Sequence, residues 1–129
     1  MASEMSTYLQ DKVVNLSLRN TAYTPPTTVY LGLFTTTLNA AGTGTEVSGG
    51  SYARQSLTFS ASSSGATATS ADVTFPTATA SWGTVTYAGI YDASTGGNLL
   101  YFTPLDVSKT IDSGDIFKVT AGNLTVSLA

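Results

Sequence analysis

Trp82-Gly83-Thr84-Val85-Thr86-Tyr87-Ala88-Gly89-Ile90-Tyr91-Asp92 is the stretch on which the fold turns. Val85, Tyr87, Gly89 and Tyr91 alternate with Thr84, Thr86, Ala88 and Ile90. Side chains that change face at every residue mark an extended strand. Asp92 to Gly97 supplies a turn, with Gly96-Gly97 free to take positive φ, and Leu99 to Phe102 returns as the hairpin partner.

The same alternation extends in both directions. Val29, Leu31 and Leu33 alternate with Tyr30, Gly32 and Phe34. That predicts a strand at 28–35 with apolar groups on both faces, hence a central one. Tyr52 to Phe59 predicts a second, over 51–59. Val73 and Phe75 mark a short strand that stops at Pro76. Asp112-Ser113-Gly114-Asp115 is a turn; Phe117 and Val119, then Leu124, Val126 and Leu128, follow as strands. Residues 36–50 and 60–70 are rich in Thr, Ser, Gly and Ala. The first reads as a long loop, the second as a turn or polar edge, and both are candidates for reaching across an interface. About seven short strands at such spacing predict a mainly β domain, an Ig-like β-sandwich over 28–128.

A helix is expected to precede it, over 4–20. Met5, Leu9, Val13 and Leu16 recur at helical spacing. Ser3 or Ser6 can cap its start, Asn20 can end it, and Pro25-Pro26 breaks the chain. Val14 and Leu18 lie off the main stripe. The helix either packs on its own β core or also anchors a neighbouring subunit. Leu9, Val13 and Leu16 are therefore candidate interface residues.

The 129 residues fit a single domain, 1–129. A chain of this size buries roughly two-thirds of its unfolded surface, enough for a core without cross-links. There is no cysteine and no histidine. That removes thiol chemistry, disulfides, sulfur or imidazole metal sites and every His-based triad. Only 10% of residues are charged, against about 25% in ordinary domains. Ser and Thr number 39. A hydroxyl surface is cheaper to desolvate than an ionic one, so it suits contact, although Thr is also simply a good strand former. The net charge is −3, with Lys12, Arg19, Arg54, Lys109 and Lys118 scattered. No nucleic-acid partner is expected from that, and no membrane span, since no apolar run approaches about 18 residues. Glu4 and Asp11 interrupt the first residues, so no signal peptide is expected.

The eight carboxylates show no catalytic pairing. Asp112 and Asp115 suit their turn for local hydrogen-bonding reasons. Gly42-Thr43-Gly44 and Gly49-Gly50 lack a phosphate-loop lysine. Ser62-Ser63-Ser64 has no base partner. No catalytic residue, cofactor or metal is expected. The aromatics say more. Trp82 is either core or an interface anchor. Tyr52 and Arg54 share one face of the second strand. That face is either solvated or an inter-subunit contact, with Arg54 paired to a carboxylate such as Glu46 of this or another chain. A sugar-binding platform using Tyr52 or Trp82 is a third option.

Two segments carry a resemblance. They are Gly44-Thr45-Glu46-Val47-Ser48-Gly49-Gly50-Ser51-Tyr52-Ala53-Arg54-Gln55, and Phe75-Pro76 through Trp82-Gly83-Thr84-Val85 and Gly89-Ile90-Tyr91-Asp92 to Gly96-Gly97-Asn98-Leu99-Leu100. With the opening helix and Tyr23-Thr24-Pro25-Pro26, the chain resembles a family of small tailed-bacteriophage virion proteins often labelled tail-fibre-like. The resemblance implies a structural, non-enzymatic role in the virion. Synthesis would be in the host cytoplasm. The partners would be copies of itself and another virion protein, either major capsid or tail. Head decoration (cement) proteins are also small, β-rich and self-associating. The expectation favours that position, with a tail or tail-fibre component as the alternative.

Overall fold

The structure, a computed structural model, describes residues 2–128. Its elements in chain order are β1 (Ala2–Met5), α1 (Thr7–Leu18), β2 (Val29–Phe34), β3 (Gln55–Leu57), β4 (Ala66–Ala68), β5 (Val73–Thr74), β6 (Gly83–Tyr91), β7 (Leu99–Ile111), β8 (Lys118–Val119) and β9 (Thr125–Ser127). The molecule is mainly β and sandwich-like. Seven strands form one sheet in the order β3-β2-β6-β7-β1-β9-β4, and β5 pairs with β8 in a small second sheet.

The β6–β7 hairpin is the centre of the sheet, closed by a turn in which Gly96 and Gly97 have φ of 62° and 74°. β7 runs well past Phe102, where the sequence reading ended it, although Pro104 lies within it. From Val85 to Tyr87 the partner moves from Lys109 to Pro104, five residues on β7 against two on β6. The extra residues bulge, and a proline is tolerated there because a bulge interrupts the ladder.

The sheet curls until its edges meet. Beyond β3, Ser60 N–H donates to Ala68 O at 3.0 Å and Ser70 N–H to Thr58 O at 2.9 Å, with Phe59 opposite Thr69. Inside the curl lies the main core, including Leu31, Leu33, Val85, Ile90 and Leu124; Val73, Phe75, Phe117 and Val119 from around the small sheet complete it. The opposite face of β2 and β6 carries a smaller cluster of Phe34, Leu38, Tyr91 and Leu99. Gly89 makes room for it: a Cβ there would meet Leu38 and Leu99 at 2.9 Å. β2 is thus covered on both faces as predicted, but Leu38 of the following loop supplies cover on the second face.

The helix is shorter than 4–20, and it does not precede the whole sheet. Residues 2–5 are strand: Glu4 and Met5 pair with Phe102 and Tyr101, and Ala2 and Ser3 pair in parallel with Thr125 and Val126. Pairing partners distant in sequence override the local helical spacing of Met5. Ser6 is the cap, its side chain accepting from Leu9 N–H. Asn20, just past the end, is left-handed with φ 54°. The second strand is also shorter than 51–59. The 36–50 loop folds back on its own strand, with Val47 N–H donating to Leu33 O. The 60–70 segment contains the edge strand β4. Neither is a free arm.

Candidate assembly surfaces

Tyr52 and Arg54 alternate onto one face of the chain leading into β3, and that face points at Glu46. Arg54 Nε donates to Glu46 Oε2 at 2.8 Å and its Nη2 to Oε1 at 2.9 Å, a two-pronged pair. The Tyr52 hydroxyl donates to Oε2 at 2.6 Å and accepts from Leu33 N–H at 2.9 Å. It stands in for a backbone partner where β3 has stopped. Arg54 Nη1 reaches across to Ala93 O and Gly96 O in the β6–β7 turn. Its guanidinium lies 3.8 Å from the Tyr91 ring centroid. The pair is sheltered, with side-chain exposures of 7% for Arg54 and 26% for Glu46. Burial, then the hydrogen bond to Glu46, pushes the Tyr52 hydroxyl far above its ordinary pKa. These groups form a clamp within one chain, which ties the 36–54 region to the hairpin turn. Arg54 makes four hydrogen bonds within it, and both Glu46 carboxylate oxygens and the Tyr52 hydroxyl are engaged.

Trp82 is core. It is 4% exposed, its Nε1–H donates to Gly50 O at 2.9 Å, and its ring meets Tyr52 and Phe75 edge to face. Its burial rules out the surface-anchor reading within the folded chain. A sugar platform built on Trp82 or Tyr52 fails for the same reason: one ring is enclosed and the other serves the clamp. Asp112 and Asp115 hold their own turn, Asp115 Oδ2 accepting from Asp112 N–H at 2.9 Å. Among the described residues there is no group of three or more acidic, His or Cys side chains placed to hold a metal, and no helix long and apolar enough to cross a membrane.

The predicted helix stripe divides. Leu9 is buried and Val13 half-buried, while Leu16 is 50% exposed. Val14 and Leu18, off the stripe, are exposed at 51% and 79%. Helix α1 therefore docks on its own sheet through Leu9 and turns apolar side chains outward. A second apolar surface escaped the sequence reading. An open groove of about 700 Å³ runs between the far half of β7 and residues 116–125, with Leu105, Val107, Ile111, Ile116, Phe117 and Val119 among its lining. Val107 and Ile116 are 66% and 54% exposed. The alternation Leu105, Val107, Ile111 was the available signal, hidden behind Pro104.

A family model described as Podophage GP4 fiber I protein gp80 matches residues 4–127. The chain belongs to this family. The match spans the clamp, helix α1, the groove and nearly the whole sheet. No curated protein matches the sequence. Membership in this phage fibre family accords with the resemblance carried by the 44–55 and 75–100 segments. It adds nothing in favour of a head decoration.

Proposed function

We propose that the protein is a non-enzymatic structural component of a podophage tail fibre, joined to copies of itself and to neighbouring fibre parts. The observation that carries this reading is the family match over residues 4–127. The physical features agree with it. The sheet is curled edge to edge, a buried clamp stiffens one end, few charges must be desolvated, and apolar side chains stand outward on α1 and in the groove. Head decoration would use the same features, but nothing in the fold favours a capsid lattice and the family description names a fibre.

Gold-labelled antibody against the purified chain, viewed on intact virions, tests the position. Label confined to the tail fibres is the expected result. Label over the head alone, or none on intact particles, overturns it.

A further inference from the structure

β1 sits in the interior of the sheet, antiparallel to β7 on one side and parallel to β9 on the other. Among the described strands nothing else joins β7 to β9. The structure thus contains a slot shaped for the strand 2–5. That strand reaches the rest of the domain only through Ser6, α1 and residues 19–28.

The connection is weak where it leaves the slot. Leu9 is the buried residue of α1. Residues 19–28 are exposed apart from partial cover of Tyr23 and Pro26. Pro25-Pro26 brings no N–H donor and holds the backbone extended. At the slot itself the contacts are specific: Ser6 N–H donates to Leu100 O at 2.8 Å, its hydroxyl donates to Leu99 O, and Thr7 N–H donates to Ala40 O at 2.9 Å.

We propose that β1 and α1 form an exchangeable arm, with β1 of one copy seated between β7 and β9 of a second copy. The fit of strand to slot is already shown in the fold, so exchange keeps every contact β1 makes. What changes is the neighbour. The exposed Val14, Leu16 and Leu18 are carried with the arm to a second subunit. Reciprocal exchange closes a dimer, and onward exchange builds an open chain. The proposal deepens the fibre reading and rests on it for the use made of the assembly.

The chain has no cysteine, so introduced thiols report one contact at a time. Glu4 and Phe102 are register partners, as are Met5 and Tyr101, and antiparallel partners lie within disulfide reach. Glu4→Cys chains are refolded together with an equal amount of Phe102→Cys chains and then oxidised. Exchange gives a species at twice the mass of one chain on a non-reducing gel, absent when either variant is oxidised alone. A mixture that stays at one chain mass overturns the proposal, provided the Glu4→Cys/Phe102→Cys double variant closes its disulfide within a monomer. The mixture of Met5→Cys with Tyr101→Cys repeats the test if loss of the Phe102 ring weakens folding. Virion labelling is independent of this result, so failure of the arm and failure of the fibre reading are told apart.

Discussion

A Cβ on Gly32 would lie 2.9 Å from Glu46 Oε2, so the carboxylate paired with Arg54 occupies the space a side chain at position 32 would need. The same Cβ would be 3.4 Å from Arg54 Nε and from the Tyr52 hydroxyl. Glu46 is held by three hydrogen bonds and cannot slide without breaking one. Gly32→Ala is therefore expected to cost about 1–3 kcal/mol, as overpacking does. Urea unfolding should show a lower midpoint at unchanged slope. A midpoint equal to that of the parent would show that the clamp has slack.

The tyrosines make stability fall at alkaline pH. Tyr52, Tyr91, Tyr101 and Tyr23 all have hydroxyls raised above their ordinary pKa, with burial the largest cause in each. A raised folded pKa means that the unfolded chain loses its protons first, from about pH 10. The stabilisation is complete below that pH and is lost as pH rises from there through the raised folded values. Tyrosinate absorbance should thus show part of the seven tyrosines titrating late, together with loss of structure. Tyr52→Phe should flatten the alkaline slope while lowering stability at neutral pH, since Leu33 N–H loses its acceptor. Seven tyrosines titrating freely near pH 10 in a folded chain would contradict the burial described.

The strands were legible where burial alternates along one run, as from Val85 to Tyr91 and from Val29 to Phe34. The clamp was half legible: Tyr52 and Arg54 had to share a face, and Glu46 was the nearest upstream carboxylate. That all three meet inside one chain depends on the 36–50 loop folding back, which no local pattern encodes. β1 was hidden because Met5 fits a helical spacing while its partners lie 96 to 123 residues away, from Tyr101 back to Met5 and from Thr125 back to Ala2. The far half of β7 was hidden by Pro104, a residue that ordinarily ends strands and here sits at a bulge.

Trp82 is a direct reporter of the core. As the single tryptophan, 4% exposed, it should emit at the blue end of its range and resist quenching by an aqueous quencher. Trp82→Ala is expected to cost about 3–5 kcal/mol. Trp82→Phe keeps a ring and removes one of the two hydrogen bonds to Gly50 O, which still accepts from Thr79 N–H, a loss of about 0.5–1.5 kcal/mol. Red-shifted, easily quenched emission from the native chain would return Trp82 to the surface.

Leu9 and Leu18 belong to one helix and should behave oppositely. Leu9 is buried against the sheet, so Leu9→Ala is expected to cost about 2–5 kcal/mol in the isolated chain. Leu18 is 79% exposed, so Leu18→Ser should stay within about 0.5 kcal/mol there. An assembly that buries Leu18, as proposed, would reverse the order of sensitivity. Sedimentation over a concentration series should show Leu18→Ser associating more weakly than the parent chain at unchanged monomer stability. Equal association by both chains would mean that the outward row of α1 meets only water.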